Sequence, residues 1–177
     1  MEREIEVKIL GIDVSNFEEK LINLGAKFIK NERQKNITIN SSKNPIAKDK
    51  GYLRIRISEC DGNLKKYFTF KENISTKGAR DNLEHTTEIK DEDELMIILK
   101  LLNFDISDMG TKERIKYSYD DLIIDIDTWD KETYPVPYVE VEGPSIEKIY
   151  NFLDKMEIDK KHISTLSIAE LKENLKK

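Results

Sequence analysis

Cysteine is almost absent: Cys60 is the one example among 177 residues. An intramolecular disulfide is therefore impossible, and a cysteine-rich zinc site is excluded with it. Histidine is nearly as scarce, with only His85 and His162, so no histidine cluster points to zinc. No apolar run approaches the roughly 18 residues of a membrane-spanning helix; the longest is Leu95 to Leu99. The opening Met-Glu-Arg-Glu lacks the apolar core of a signal peptide. These absences lead to the expectation of a cytoplasmic chain, read as a single domain over residues 1–177. Glycine numbers only 7, and no glycine-rich loop is available to cradle a nucleotide. An excess of positive charge is missing too. Lys and Arg total 30 against 35 Asp and Glu, for a net charge of −5, which argues against a general nucleic-acid binder.

What the chain has in quantity is charge of both signs. Charged residues make up 37%, well above the roughly 25% of an average domain. Such a composition can mark disorder, but here the apolar residues recur with clear periods, which points to an ordered core. Four segments read as helices. The first follows Ser15, with Ser15-x-x-Glu18 as a capping box, Phe17, Leu21 and Leu24 as its apolar stripe and Gly25 as its stop. The second opens at Asp91, the third at Pro144 as its first helical residue, and the fourth after Ser167. The intervening segments alternate with period two and predict eight strands, at roughly 3–9, 27–40, 51–58, 64–72, 84–90, 110–119, 121–129 and 137–142. Loops are expected at 40–50 and 73–80. Short links favour antiparallel pairing.

Side chains at i and i+2 share a strand face. Glu4, Glu6 and Lys8 oppose Ile5, Val7 and Ile9; Arg54 and Arg56 oppose Leu53, Ile55 and Ile57. Thr69 and Lys71 oppose Phe68 and Phe70, and Lys112 shares a face with Arg114. Asp125 and Asp127 oppose Ile124 and Ile126, and Glu140 and Glu142 oppose Val139 and Val141. Nearly every strand thus has one apolar and one ionic face. In an open sheet the ionic face meets water. In a closed barrel with helices outside it lines the lumen, the reverse of a small barrel with a greasy interior. Same-sign pairs within single strands are poorly explained by a merely solvated sheet, but spacing alone leaves both arrangements open.

Taken in order, these segments resemble the CYTH domains, also called triphosphate tunnel metalloenzymes. Glu4-Ile5-Glu6-Val7-Lys8 is similar to the opening ExExK signature, and Leu53-Arg54-Ile55-Arg56 to the LRxR strand. Thr69-Phe70-Lys71, Glu88, Lys112-Glu113-Arg114-x-x-Tyr117, Asp125-Ile126-Asp127, Val139-Glu140-Val141-Glu142 and Ser167 to Leu171 follow in family order. The resemblance spans nearly the whole chain. It implies an α+β fold: a closed eight-stranded antiparallel β-barrel with a charged lumen and helices packed outside. There are departures. Asn36 and Thr38 stand where the family's QxDxY strand has Asp and Tyr, Ile168 replaces a tyrosine, and the segment from Glu84 to Glu88 lacks one acidic residue that some relatives carry. These positions are expected to tune the choice of triphosphate.

The resemblance also implies roles. Arg54, Arg56, Lys71, Lys112 and Arg114, with Lys8, would bind the phosphates. Arginine makes bidentate phosphate contacts and lysine acts as a point charge. Arg33, Lys35 and Arg80 are weaker candidates. Glu4, Glu6, Asp127, Glu140 and Glu142 would ligate Mg²⁺ or Mn²⁺ through oxygen, with Asp125 as an added candidate. Lys8, Glu6 and Glu142 are the expected catalytic groups. Trp129 is read as a packing residue, with stacking on a base as the lesser reading; His85 and His162 are read as structural or exposed. The expected partner is a triphosphate-bearing small molecule, not a nucleic acid or a membrane, and the chain is expected to be a monomer or homodimer. The favoured activity is hydrolysis of the triphosphate moiety of inorganic tripolyphosphate or of a nucleoside or other organic triphosphate, with tripolyphosphate expected to be used at least as well as ATP because few residues look suited to read a base. A class IV adenylyl cyclase is the alternative, and a non-catalytic polyphosphate- or nucleotide-binding module the third reading.

Overall fold

The computed structural model describes residues 1–175. Eight long strands form the body of the fold: β1 (Glu2–Ile9), β2 (Lys27–Asn40), β3 (Gly51–Cys60), β4 (Asn63–Ser75), β5 (Arg80–Glu88), β6 (Asp105–Tyr119), β7 (Leu122–Trp129) and β8 (Tyr138–Gly143). A two-residue strand, β9 (Ile163–Ser164), adds to the end of β1. The hydrogen-bonded order is β5-β4-β3-β2-β6-β7-β8-β1-β9, and β5 also pairs with β1. That last pairing, Glu2 opposite Glu84 through Glu6 opposite Arg80, closes the sheet into an eight-stranded antiparallel barrel. Closure satisfies the backbone edges that an open sheet would leave exposed.

Four helices, α1 (Val14–Asn23), α2 (Glu92–Leu101), α3 (Ile146–Lys155) and α4 (Ile168–Asn174), lie outside the barrel. The apolar strand faces turn outward against them. Phe17 and Leu21 of α1 and Ile149, Phe152 and Leu153 of α3 pack on Val7, Ile9, Ile124, Ile126, Val139 and Val141. Leu99 of α2 packs on Ile37, Ile39 and Ile55. Each such side chain contributes roughly 1.5–3 kcal/mol on burial. Because strand side chains alternate, fixing this face against the helices fixes the opposite, ionic face in the lumen. Leu171 of α4 packs with Tyr134 and Tyr138, and Lys172 reaches Asp108 at 3.1 Å, so α4 sits at one end of the barrel.

Several boundaries differ from the sequence reading; β3 runs on to Cys60 and β4 to Ser75, inside the expected loop. The first helix is capped by Asp13, whose carboxylate accepts from the Asn16 amide, rather than by Ser15. Val14 packs on the core, which draws the helix start forward. The third helix is capped by Ser145 and begins at Ile146, leaving Pro144 outside: a serine hydroxyl can accept an amide hydrogen and proline has nothing to offer there. β5 begins at Arg80, within the expected loop, and β6 at Asp105. The apolar residues these extensions add, Leu83 in β5 and Ile106 and Met109 in β6, do not recur with period two, so the pattern of apolar alternation does not reach them. The Ser167–Glu170 capping box forms as the sequence indicates.

Gly51 opens β3 with φ +134°, and a Cβ there would collide with the Lys71 carbonyl and the Glu72 backbone. Main chain of a paired strand cannot yield as a side-chain end can. Gly51→Ala is expected to cost at least ~2 kcal/mol, a fall of roughly 4–8 °C in Tm for a chain of this size. Thermal unfolding followed by circular dichroism measures it; an unchanged Tm would contradict the tight approach.

Candidate active site

The lumen is a lattice of opposed charges set by strand register. Lys8 lies opposite Glu140, Lys71 opposite Glu84, Arg114 opposite Asp127 and Lys116 opposite Asp125. Their side chains meet. Lys8 is 3.2 Å from Glu140 and 3.7 Å from Glu6. Lys71 contacts Glu4 and lies 3.3 Å from Glu84. Arg114 is the hub: it is 2.6 Å from Asp125, 2.6 Å from Asp127 and 2.5 Å from Glu140. Lys112 adds a second cation 2.5 Å from Asp127. Burial works against the charge of Arg114, but Asp125, Asp127 and Glu140 outweigh it and raise its pKa. Burial likewise opposes the ionised form of Glu140, and Lys8 and Arg114 overcome it, holding that carboxyl well below its usual range.

Two cations are less well compensated. Arg56 reaches the Asn36 side-chain carbonyl at 3.4 Å and, among the described residues, has no carboxylate within ion-pair distance. Burial, then the charges of Arg54 and Arg114, lower its pKa to about 10. Burial and Arg114 similarly lower Lys112 to about 8, despite Asp127. Arg54 pairs with Glu84 at 3.4 Å, yet its Nε is buried without a hydrogen-bond partner. Unspent donors and uncompensated positive charge in a buried channel are what an anionic ligand would use.

The opposite wall is acidic. Glu6 and Glu142 face each other directly across β1 and β8, a costly arrangement for two carboxylates. Glu142 has no ion-pair partner among the described residues; burial first, then Glu4, with Glu6 and Asp125 adding, raise its pKa to about 7. Among the described residues no three His, Cys, Asp or Glu side chains are gathered closely enough to hold a metal ion, because lysines interleave with the carboxylates. The donor chemistry nonetheless fits a hard divalent cation: the set is all oxygen, and Glu142, which faces Glu6 and has no ion-pair partner among the described residues, is what such a cation would relieve. Glu4, Glu6, Glu140 and Glu142 are the residues suited to hold it. Asp127 fits less well, since it is fully buried with its oxygens taken by Lys112, Arg114 and Tyr138.

Every expected phosphate-binding residue, Lys8, Arg54, Arg56, Lys71, Lys112 and Arg114, lies on the luminal face. Of the weaker candidates, Arg80 joins them, buried 3.9 Å from Glu6. Arg33 and Lys35 do not: they have the opposite strand parity, and Arg33 pairs with Glu113 at the surface. Glu88 is exposed at the end of β5, and Glu84, one strand-repeat pair earlier, supplies the luminal carboxylate. Placing the start of β5 at 84 left Arg80 in a loop as a weaker candidate and hid the fully buried Asn82. Trp129 is held by the Tyr138 hydroxyl at 2.9 Å and lies beneath the Lys112 ammonium, a packed position. His162 bonds the Leu10 carbonyl and His85 is exposed. Sequence reading also missed Glu32. Burial opposes its charge, but hydrogen bonds from Lys30, Ser58 and Gln34 lower it to about 2; its period-two spacing from Gln34 was the available signal.

A closed barrel with an ion-paired lumen defines a tunnel protein. The CYTH domain profile matches residues 2–169, and the chain belongs to the CYTH family. A curated protein of Methanocaldococcus jannaschii named "Putative adenylate cyclase MJ0240" is 31% identical over 126 residues, covering 67% of this chain and 70% of its own. The PH1819 protein of Pyrococcus horikoshii OT3 superposes with a TM-score of 0.82 at 23% identity, over 95% of this chain and 97% of that one. HpAC1 of Hippeastrum, named for adenylyl cyclase and described as having a dominant triphosphatase activity, superposes with a TM-score of 0.70 at 16% identity, over 94% and 91%. The two structural likenesses are likenesses of fold.

The raised carboxyl of Glu142 has a stability consequence. Below pH ~4.5 Glu142 is protonated in both folded and unfolded chains. As pH rises toward 7 the unfolded chain releases this proton first, so the folded chain binds more protons and its stability falls, by up to roughly 1.4 kcal/mol per pH unit. Glu142→Gln removes that slope. In urea unfolding without added metal, the stability advantage of Glu142→Gln over wild type should grow from pH 4.5 to 7 and then level off. A difference that does not vary with pH would contradict the assignment.

Proposed function

We propose that this chain is a divalent-metal-dependent enzyme that acts on the triphosphate moiety of its substrate and hydrolyses it to release phosphate. The observation that carries the reading is Arg56, a luminal arginine with no carboxylate within ion-pair distance among the described residues, set beside the unpartnered Nε of Arg54. A structural lattice has no use for an uncompensated cation; a phosphate chain does. Arg54, Arg56, Lys71, Lys112 and Arg114 would bind successive phosphates and draw charge off the γ-phosphoryl group. Glu4, Glu6, Glu140 and Glu142 would hold Mg²⁺ or Mn²⁺, which when bound supplies charge neutralisation at the phosphoryl oxygens. Lys8 keeps Glu6 and Glu140 in place. Glu142 would either ligate the metal or accept the proton of the attacking water. Oxygen of that water bonds to the γ-phosphorus, the β–γ bridging bond breaks, and orthophosphate separates from the remaining diphosphate.

A second reading is favoured by the name of the Methanocaldococcus jannaschii relative. In adenylyl cyclisation the ribose 3′-oxygen attacks the α-phosphorus and pyrophosphate leaves. The same cations and carboxylates serve both reactions. Product analysis after incubation with ATP and Mn²⁺ separates them: orthophosphate supports hydrolysis, and cyclic AMP with pyrophosphate as main products would replace it by cyclisation. Activity is expected to vanish in a chelator and to return with Mg²⁺ or Mn²⁺; full activity in chelator would overturn metal dependence.

The lattice also dictates which arginine is informative. Arg114→Ala would leave Asp125, Asp127 and Glu140 each with a single lysine partner in the lumen and should lower stability, so its lost activity is ambiguous. Arg56→Gln breaks no ion pair. It should lower kcat/KM for a triphosphate about tenfold to a hundredfold, as for a lost charge-assisted contact, with Tm unchanged or slightly raised. Unaltered kcat/KM in Arg56→Gln would remove the carrying observation.

A further inference from the structure

The luminal face of β2 carries two amide side chains whose orientation is fixed by charged neighbours. Gln34 and Asn36 are 3% and 6% exposed. The Gln34 side-chain NH₂ donates to Glu32 at 2.8 Å. Glu32 is an ionised carboxylate that also receives Lys30 at 2.8 Å and the Ser58 hydroxyl. An ionised carboxylate only accepts, so the NH₂ must face it, and the amide cannot flip without setting oxygen against oxygen. Asn36 is fixed in the opposite sense: its carbonyl faces the Arg56 guanidinium at 3.4 Å, a group that only donates. The remaining atoms are therefore determined. Gln34 turns a carbonyl acceptor, and Asn36 an NH₂ donor, to surroundings in which neither has a partner.

Phosphate can answer only one of these. The deprotonated oxygens of a triphosphate accept hydrogen bonds, so they suit the Asn36 NH₂ but offer nothing to the Gln34 carbonyl. That carbonyl calls for a donor: a hydroxyl or an amine. Lys112, opposite Gln34 across β2 and β6, directs its ammonium to Asp127 at 2.5 Å. Leaving a buried amide acceptor unpaired is costly, and a site that keeps one selects for ligands that complete it.

We infer that Gln34 and Asn36 form an acceptor–donor pair that reads a neutral hydrogen-bonding group attached to the triphosphate, so that the substrate is an organic triphosphate carrying hydroxyl or amino groups, as a nucleoside triphosphate does, rather than bare inorganic tripolyphosphate. This rests on the triphosphate reading above and narrows it. The phosphate-binding arginines fix the charged chain, and the pair on β2 lies beside Arg56, where the attached group would enter. Ordered water could fill the same two atoms, and the experiment distinguishes that outcome.

The test compares ATP with inorganic tripolyphosphate in wild type, Gln34→Leu and Asn36→Asp, measuring both turnover with Mn²⁺ and thermal stabilisation by each ligand. Wild type should prefer ATP in kcat/KM. Gln34→Leu, which removes the acceptor, should lower the ATP-to-tripolyphosphate ratio about tenfold. Asn36→Asp replaces the donor by an acceptor that pairs with Arg56, is expected to fold, and should lower the ratio in the same direction. A ratio unchanged in Asn36→Asp, or in a folded Gln34→Leu, overturns the inference, water being the occupant, and leaves the triphosphate reading standing. If neither compound binds or turns over, the triphosphate reading itself fails, and this inference with it.

Discussion

Charge pairing across neighbouring strands is the constraint on which this structure depends. Arg114 with Asp125, Asp127 and Glu140 shows it most clearly. Each of these groups would be very costly to bury alone; together, in register, they offset much of the cost of leaving water. Without that pairing the barrel could not close around so many ions. With it, the inward faces remain polar and the apolar residues go outward, where helices cover them. The inverted arrangement of core and lumen thus follows from electrostatics and strand alternation together.

The same pairing sets what the site can do. Cations compensated by carboxylates are pre-positioned and cost little reorganisation when an anion arrives. They are also partly occupied, so the exceptions matter more than the majority. Among the described residues Arg56 and Glu142 have no ion-pair partner within reach, and the Arg54 Nε has no acceptor. These departures from neutrality lie on facing walls: excess positive charge on the strands around β3, excess negative charge where β1 meets β8. A polyanion on one side and a hard cation on the other would complete both.

Much of this was legible in the residues. Period-two alternation identified eight strands, and the parity of Arg54, Arg56, Lys112 and Arg114 placed them on one kind of face. The misplaced features share a cause. Arg80 and Asn82 sit in a stretch with no apolar alternation of its own, ordered by pairing with β1 and β4. A strand that owes its existence to its neighbours carries little local signal. Glu32, Gln34 and Asn36 were likewise visible as polar residues of a long strand, but their importance lies in contacts: Lys30 and Ser58 hold Glu32, Glu32 orients Gln34, and Arg56 orients Asn36.

The sequence by itself determined the element types, the division of each strand into an apolar and an ionic side, and the identity of the cations and carboxylates available. These are properties of spacing and side-chain chemistry, and they need no knowledge of neighbours. Tertiary structure alone decided which ions cancel and which do not. That Arg114 is buried among three carboxylates while Arg56 has none depends on strand register and barrel closure, which bring together residues far apart in the chain. Ion-pair energies depend on distances of a few ångströms and on exclusion of water, and neither is written in the local pattern of residues.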